Sequence, residues 1–324
     1  MKVAILDDYQ HAFEHSAAIN RLRQNAEVQI YTEKLTGDAL VRALNGCQAI
    51  ISIRERTLFP AELLRALPDL ELIVQTGSHA YHIDLEAATK AGILIGLAPG
   101  GTGAAELTFG LMISLMRRIA DCDHALRQGR WPLVLGIVLK GKTLGILGLG
   151  KIGSEVARIG LAFGMTVVAW GPTLTKERAE KVQATFLSLE EVLQTADVVS
   201  VHLKLSDLSR GLLNEGRLRL MQKSTYLVNT ARGAIIDETA LVKILQERAI
   251  AGAALDVFVE EPLPPNHPLL QLDNVVLTPH LGWPTDSGFE GFAQNATNVI
   301  LNYMRRDVVG ALNPEALEER KARR

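Results

Sequence analysis

The chain has 324 residues, 48% of them hydrophobic, which is enough apolar surface to build two globular cores. Its 34 basic and 36 acidic side chains give a formal net charge of −2, which excludes the strong field that would gather nucleic acid or an anionic membrane surface. Cys47 and Cys122 are the only cysteines, too few for a disulfide framework and in no metal-ligand spacing. We therefore expect a cytoplasmic protein that acts on small molecules, with no metal site.

The first hundred residues alternate short apolar runs with helical patterns. Strands are predicted over residues 3–6, 49–53, 70–75 and 93–95, and helices over 61–66 and 85–91. This alternation is typical of an α/β domain. The first strand runs into Asp7 and Asp8 without a glycine turn, so we expect this half to hold the substrate and not a dinucleotide.

A glycine-rich stretch over residues 99–103 marks the predicted crossing into a second domain. The pattern after it predicts a helix whose apolar side includes Thr108, Leu111, Met112, Leu115, Met116 and Ile119. The apolar run 107–116 is far shorter than the roughly 20 residues that a bilayer requires. It therefore predicts a buried helix and no membrane span.

A glycine turn, Gly148-Leu149-Gly150-Lys151-Ile152-Gly153, lies between an apolar strand pattern and a helical one. The strand is predicted over 143–147, the helix begins near Ile152, and a second strand follows over 166–170. Such a βαβ unit places an anion on backbone amides at the N-terminus of its helix. The pattern indicates a site for the phosphates of a dinucleotide, although an adenosyl-dependent methyltransferase can carry a similar turn.

Further strands are predicted over 198–202, 226–229, 251–256 and 275–277, with helices near 189–194, 216–221 and 238–246. Together they predict a parallel, doubly wound sheet. A last helix over 287–304 is expected to return to the N-terminal domain, and the charged tail 317–324 is expected to fray.

Three turns that follow the late strands carry polar or ionisable side chains, over residues 229–233, 256–262 and 278–283. Such positions lie along the crevice at the carboxyl edge of a parallel sheet. The planar guanidinium of Arg232 can form two parallel hydrogen bonds to a carboxylate, and His280 can exchange a proton near neutral pH. If Glu261 reaches the far nitrogen of the imidazole ring, it would fix the tautomer and favour the imidazolium form, which can protonate a ketone.

With these motifs the chain resembles the D-isomer-specific 2-hydroxyacid dehydrogenases, in the branch similar to phosphoglycerate dehydrogenase. The resemblance is carried by the turn 148–153, Asn229-Thr230-Ala231-Arg232-Gly233, residues 256–262 and Thr278-Pro279-His280. It implies that Arg232 binds the substrate, that Glu261 is the acid partner of the histidine and that His280 transfers the proton. It also implies an oxidoreductase that uses NAD or NADP to interconvert a 2-oxo acid and an (R)-2-hydroxy acid.

The resemblance further implies two Rossmann-like or flavodoxin-like α/β domains with a cleft between them, and a homodimer. The substrate domain would comprise residues 1–100 and 287–324, and the cofactor domain residues 101–286. The residues expected at the cofactor are Gly148, Gly150, Lys151, Ile152, Gly153, Gly171, His202, Thr230, Ala231, Arg232, Asp256, His280 and Gly282. The residues expected at the substrate are Arg54, Gly77, Ser78, Arg232 and His280.

Gly171 departs from the usual pattern, in which an acidic residue at the end of the second strand binds the adenosine ribose. A missing carboxylate removes the repulsion toward a 2′-phosphate, so the choice between NAD and NADP stays open. Positive charge or donors for such a phosphate are available nearby from Thr173, Thr175, Lys176 and Arg178.

Candidate substrates are glyoxylate, hydroxypyruvate and 3-phosphoglycerate, and the sequence does not choose among them. The main alternative is a scaffold that senses NAD(H) and resembles the corepressors built on this fold, with little turnover. Formate or phosphite oxidation is less favoured, because formate-oxidising relatives usually have glutamine at the position of Glu261. A methyltransferase would leave Arg232, Glu261 and His280 without a purpose.

Overall fold

The structure is a computed structural model that describes residues 1–101, 103–307 and 310–323. The backbone forms two compact units, Met1–Thr102 with Pro284–Arg324, and Gly103–Trp283. We call them the terminal unit and the central unit. Thr102 of the predicted crossing and Arg324 of the predicted tail lie outside the described residues.

The terminal unit contains a parallel sheet in the strand order β2-β1-β3-β4-β5. Its strands are β1 (Lys2–Leu6), β2 (Glu27–Ile30), β3 (Ala49–Ser52), β4 (Leu72–Thr76) and β5 (Leu94–Ala98). Each residue of β3 and β4 is buried, as expected of central strands covered on both faces. The order of the strands reverses between β1 and β3, so ligands are expected at the carboxyl ends of these two strands.

Four helices connect these strands: α1 (Ala17–Arg23), α2 (Gly37–Leu44), α3 (Ala61–Arg65) and α4 (Leu85–Lys90). The sequence patterns had indicated only α3 and α4. They missed α1, α2 and β2, which lie in the stretch between the first two predicted strands. In β2 only alternate residues are partly buried and none is fully buried, so this edge strand has no continuous apolar run.

The central unit contains a second parallel sheet, in the order β12-β11-β10-β9-β6-β7-β8. Its strands are β6 (Thr143–Leu147), β7 (Thr166–Trp170), β8 (Thr185–Phe186), β9 (Val198–Val201), β10 (Tyr226–Asn229), β11 (Gly252–Leu255) and β12 (Val275–Leu277). The order reverses between β6 and β9. The predicted doubly wound parallel α/β fold is thereby confirmed, while the short exposed strand β8 had not been predicted.

The helices of the central unit are α5 (Ala104–Arg117), α6 (Ile119–Arg127), α7 (Lys151–Ala162), α8 (Lys176–Glu180), α9 (Leu189–Thr195), α10 (Glu215–Leu218) and α11 (Glu238–Gln246). The predicted burial of Leu111, Met112 and Met116 on α5 is confirmed. The inclusion of Ile119 in that apolar side is wrong, because its side chain is 50% exposed. Arg118 adopts a left-handed conformation that ends α5 and starts α6, so the helical phase breaks before Ile119.

The chain ends with α12 (Asp286–Met304) and α13 (Ala316–Arg323). Helix α12 packs against α1, β4 and β5 of the terminal unit, and α13 packs against α4. Residues 316–323 are therefore helical where the charged composition had predicted fraying. Within the described residues, no helix is long and apolar enough to span a membrane.

Candidate active site

The glycine turn connects β6 to α7 at the carboxyl edge of the central sheet. Gly148 has a φ of +101°, and a Cβ placed there would lie 2.8 Å from the carbonyl oxygen of His202. A Cβ on Gly153 would lie 2.1 Å from the carbonyl oxygen of Gly148. Side chains at these two positions would therefore destroy the turn.

The space in front of this turn suits a diphosphate. Gly150 is the N-cap of α7 and provides no side-chain hydrogen bond to the first turn of the helix, and a Cβ on it would meet no described atom within 4 Å. The first N–H groups of a helix lack partners inside the helix, and the helix dipole favours an anion beside them. The donors and the cleared space at α7 thus fit the pyrophosphate of a dinucleotide.

Other predicted cofactor residues lie around the same turn. Lys151 and Ile152 begin α7, and a Cβ on Gly171 would lie 3.8 Å from Gly148 Cα. His202 follows β9, donates its backbone N–H to Leu147, and places its ring Nε2 2.8 Å from Ser200 Oγ. The ends of β6, β7 and β9 therefore bring these residues to one edge.

The loop after β10 carries Arg232. Asn229 shapes this loop with its side-chain amide: Oδ1 accepts the Ala231 N–H at 3.0 Å, and Nδ2 donates to the carbonyl oxygen of Arg232 at 3.0 Å. Thr230 is anchored by a hydrogen bond between its Oγ1 and Thr108 Oγ1 of α5, 2.9 Å long. The Arg232 guanidinium donates to the Ala231 carbonyl oxygen at 2.6 Å.

The imidazole and the carboxylate predicted from the sequence form a direct pair. His280 Nδ1 lies 2.7 Å from Glu261 Oε2. Burial opposes ionisation of Glu261, but hydrogen bonds from His280 and from the Phe258 N–H, together with the nearby charge of Arg232, lower the pKa of this carboxyl below its ordinary value. Glu261 is therefore a carboxylate at neutral pH; it hydrogen-bonds to the imidazole of His280 and feels the charge of Arg232.

Asp256 has a structural task that the sequence did not reveal. It is fully buried, and its carboxylate accepts hydrogen bonds from Thr278 Oγ1 at 2.6 Å, Leu281 N–H at 2.7 Å and Gly282 N–H at 2.9 Å. Its carbonyl oxygen accepts the His280 N–H, and His280 itself has a φ of +56°. Asp256 thus holds the strained turn that presents the imidazole.

The predicted substrate residues Arg54, Gly77 and Ser78 lie in the terminal unit, after the ends of β3 and β4. The Arg54 N–H donates to Thr76 Oγ1 at 2.8 Å, and Arg54 has a φ of +55°. A Cβ on Gly77 would lie 2.3 Å from Arg54 Nη1, so any other residue at this position would collide with the guanidinium where it now lies. Ser78 is exposed.

Glu55 and His79 complete this cluster; neither is among the site residues predicted from the sequence. Glu55 Oε1 lies 3.6 Å from Arg54 Nη2 and 3.1 Å from His79 Nε2. The signal in the sequence is that these two residues directly follow the predicted substrate residues Arg54 and Ser78. Among the described residues, no group of histidine, cysteine, aspartate and glutamate is arranged to hold a metal ion.

Comparison with known proteins decides the family. The sequence model of the NAD-binding domain of D-isomer specific 2-hydroxyacid dehydrogenases matches residues 109–282. The chain is 46% identical to a glyoxylate reductase of Aeropyrum pernix over 230 residues, which is 68% of this chain and 69% of that enzyme. The chain belongs to the D-isomer specific 2-hydroxyacid dehydrogenase family.

The family extends over both units. A D-3-phosphoglycerate dehydrogenase of Archaeoglobus fulgidus is 38% identical over 83% of this chain, although the match spans only 51% of that enzyme. A phosphoglycerate oxidoreductase from Vibrio cholerae O395 superposes with a TM-score of 0.85 at 34% identity, over 94% of this chain and 99% of that one. The predicted reaction class is thereby confirmed: the chain is an oxidoreductase for 2-oxo and 2-hydroxy acids that uses a nicotinamide dinucleotide.

Proposed function

We propose that the chain reduces a short 2-oxo acid to its (R)-2-hydroxy acid, with Arg232 binding the substrate carboxylate and His280 moving the proton. The observation that carries this proposal is the Glu261–His280 hydrogen bond of 2.7 Å, with the charge of Arg232 near enough to act on Glu261, at the sheet edge that also bears the glycine turn. An imidazole supported by a carboxylate and a rigid cation are the groups that this reaction requires from the protein.

We assign the cofactor to the carboxyl edge of the central sheet. The residues proposed to hold it are Gly148, Gly150, Lys151, Ile152, Gly153, Gly171, His202, Thr230, Ala231, Arg232, Asp256, His280 and Gly282. When bound, the nicotinamide ring supplies the hydride for reduction or accepts it in oxidation. Because Asp256 already holds three donors of the 278–282 turn, its first task is to fix the position of His280.

Glu261 determines which ring nitrogen of His280 is available to the substrate. Its carboxylate holds Nδ1, so Nε2 is the nitrogen available to the substrate. During reduction, Nε2–H donates its proton to the oxygen on C2 while C2 gains the hydride. During oxidation, neutral Nε2 accepts the hydroxyl proton. Because reduction of the 2-oxo acid consumes a proton and oxidation releases one, reduction should be favoured at lower pH and oxidation at higher pH.

For the substrate, we propose an acid without a second strong negative charge, such as glyoxylate or hydroxypyruvate, in preference to the oxidised form of 3-phosphoglycerate. Arg54, Gly77 and Ser78 would contact the substrate at the edge of the terminal sheet. Glu55 supports this choice, because its carboxylate already neutralises Arg54 and would repel a phosphate brought to the same guanidinium.

Replacement of His280 tests the catalytic assignment. His280→Gln should lower kcat for glyoxylate and hydroxypyruvate by about 100- to 10,000-fold, since the proton transfer would lose its general acid. The dissociation constant of NADH, measured by fluorescence titration, should change less than about threefold, because the glycine turn is untouched. The exposed His124, replaced by Gln in the same way, serves as the control. Unchanged turnover in His280→Gln would refute the role of His280.

Turnover of the unchanged protein tests the proposed substrates. Glyoxylate, hydroxypyruvate and 3-phosphohydroxypyruvate should be offered with NADH and with NADPH, and absorbance loss followed. Tight cofactor binding with no turnover on any of them would favour the NAD(H)-sensing scaffold instead. We also propose that the chain accepts NADPH as well as NADH and that it forms a homodimer.

A further inference from the structure

The segment that carries Glu261 leaves the hydrophobic core between Phe258 and Val259. Val257 and Phe258 are buried after the end of β11, whereas Val259 is 58% exposed and Glu260 is exposed. Phe258 and Leu263 pack against the core on either side of this stretch, but Val259 and Glu260 do not. Hydrogen bonds therefore contribute to the position of the backbone at 259–261.

Two carboxylates supply those hydrogen bonds. Glu261 Oε1 accepts the Phe258 N–H at 2.9 Å, so one of its oxygens holds its own loop while the other holds His280. Glu238, in the first turn of α11, accepts the next amide, the Val259 N–H, at 3.1 Å through Oε2. Consecutive N–H groups of the loop are thus held by different carboxylates.

Glu238 is itself held from the opposite side. His267 Nε2 lies 3.2 Å from Glu238 Oε1, and the two side chains are only 16% and 20% exposed, respectively. The other nitrogen of this ring, Nδ1, accepts the Leu269 N–H at 3.3 Å, so Nε2 carries the hydrogen that faces Glu238. Both oxygens of Glu238 are therefore engaged, and its rotamer is determined by partners on both sides.

We infer that Glu238 is a positioning residue for the reaction: through the Val259 amide it holds the loop at which Glu261 orients His280. The inference rests on the proposed role of the Glu261–His280 pair. It adds a second carboxylate–imidazole pair, Glu238–His267, whose members are not among the residues proposed to bind the substrate or the cofactor. Its effect passes through one backbone amide to the residue that fixes the imidazole tautomer.

A double-mutant cycle with Glu261 tests this inference. Glu238→Ala should lower kcat about tenfold with hydroxypyruvate as substrate, an effect of the size found when the hydrogen-bond partners of metal-binding side chains are removed. In a Glu261→Ala background the same replacement should lower kcat less than about twofold, since the group it positions is already gone. Glu238→Gln can still accept the Val259 N–H and should recover most of the lost kcat.

The controls separate positioning from general damage. Glu260→Ala removes the exposed neighbouring carboxylate, which has no hydrogen bond or ion pair within the described part of the chain, and should leave kcat unchanged. Hydrogen exchange of the Val259 amide in the protein without cofactor should accelerate in Glu238→Ala and not in Glu260→Ala. The dissociation constant of NADH should stay within about threefold in these variants, because the glycine turn is distant in sequence and unaltered.

Two outcomes would overturn the inference: an unchanged kcat in Glu238→Ala, or an equal loss of kcat in the wild-type and Glu261→Ala backgrounds. If Glu261→Ala alone leaves kcat unchanged, the proposed function fails first, and the two failures are thereby distinguished. If Glu238→Ala does not fold, His267→Gln continues the test. Loss of the His267–Glu238 contact should then lower kcat about two- to threefold in the wild-type background and not at all in the Glu261→Ala background, and no loss in the wild-type background would overturn the inference.

Discussion

Glu55 is the acidic residue in a segment that is otherwise basic, Arg54-Glu55-Arg56, and its carboxylate faces both Arg54 and His79. An arginine with a free guanidinium at this edge would bind a phosphate strongly. With Glu55 in place, a phosphate must either displace the carboxylate or lie next to it. Two unit charges about 4 Å apart repel by about 1 kcal/mol in water and by about 4 kcal/mol near a protein surface.

We therefore expect Glu55→Gln to widen substrate use. The unchanged protein should have a kcat/KM for hydroxypyruvate at least about tenfold above that for 3-phosphohydroxypyruvate, and Glu55→Gln should reduce this ratio about tenfold, mainly through KM for the phosphorylated acid. Steady-state kinetics at low ionic strength measure both values. Glu86→Gln, which removes an exposed, ion-paired carboxylate from the same unit, should leave the ratio unchanged. An unaltered ratio in Glu55→Gln would exclude Glu55 as a determinant of specificity.

His202 makes the stability of the protein depend on pH. Burial lowers the pKa of its imidazole to about 4, from an ordinary value of 6.5. Between these two values the unfolded chain binds a proton at this ring that the folded chain does not bind. The contribution of His202 to the free energy of unfolding is therefore complete above pH 6.5 and is lost as the pH falls toward 4.

Because the residue retains some exposure, we expect this loss to be about 2 kcal/mol, below the roughly 3 kcal/mol that the full shift would give. Urea denaturation at pH 7.0 and pH 4.5 should show the loss in the unchanged protein. His202→Gln cannot take up a proton, so its stability should fall by less over the same interval. His124→Gln, at an exposed position, should behave like the unchanged protein. Equal slopes for all three proteins would contradict the prediction.

The connection between β7 and α8 bears on our proposal that the protein accepts NADPH as well as NADH. It begins at Gly171, beside the glycine turn, and Thr175 caps α8 by accepting the Arg178 N–H. The Arg178 guanidinium donates to the Thr173 carbonyl oxygen at 2.9 Å, so a cation lies at this exposed connection. Neither Gly171 nor Pro172 carries a carboxylate that would bind ribose hydroxyls or repel a 2′-phosphate.

Gly171→Asp should therefore shift the preference away from NADPH. We expect the ratio of kcat/KM with NADPH to kcat/KM with NADH to fall at least about tenfold, because the new carboxylate repels the 2′-phosphate and can bind the free hydroxyls. Gly171→Asn introduces a side chain of the same size as aspartate but without its charge. It controls for steric crowding against Leu174, whose Cβ would lie 3.3 Å from a Cβ at position 171. If both variants lower the ratio equally, steric crowding and not charge determines it.

Elements with strong local patterns could be predicted, and those whose limits depend on tertiary contacts could not. Strand β10 and helix α11 have the predicted bounds, because a buried apolar run and a capped amphipathic pattern are properties of neighbouring residues. Strand β8 has two exposed residues and pairs only at the edge of its sheet, so its sequence lacks such a signal. The break at Arg118 depends on one left-handed residue, which periodicity does not reveal.

The candidate site divides in the same way. Arg232, Glu261 and His280 could be chosen as candidates from the sequence because each follows a strand and bears a side chain suited to the reaction. The residues that support them could not be identified. Asp256 holds the 278–282 turn through hydrogen bonds to residues 22 to 26 positions away in the sequence. Glu238 holds the 258–261 loop through a hydrogen bond to a residue 21 positions away. Hydrogen bonds between residues so far apart leave no periodic trace in a single sequence.

At the scale of the whole molecule, the central unit has an apolar segment that a monomer would expose to water. Along residues 131–138, Trp131 is 81% exposed, Leu133 92% and Leu135 97%. The segment is attached to α5 by the Ile137 N–H, which donates to the Met116 carbonyl oxygen at 3.1 Å. Large apolar side chains grouped in this way mark a surface for association, and a second copy of the chain is the simplest partner.

We expect the purified protein to be a homodimer by size-exclusion chromatography with light scattering. The double replacement Leu133→Asp and Leu135→Asp should convert it to a monomer, since burial of each leucine contributes about 1.5–3 kcal/mol and a buried unpaired carboxylate is strongly unfavourable. Leu208→Asp introduces the same charge at an isolated leucine that is 81% exposed in another loop, and should leave the dimer intact. Circular dichroism should show that all variants are folded. If the Leu133 and Leu135 variant remains a dimer, or if the unchanged protein is a monomer, residues 131–138 are not the association surface.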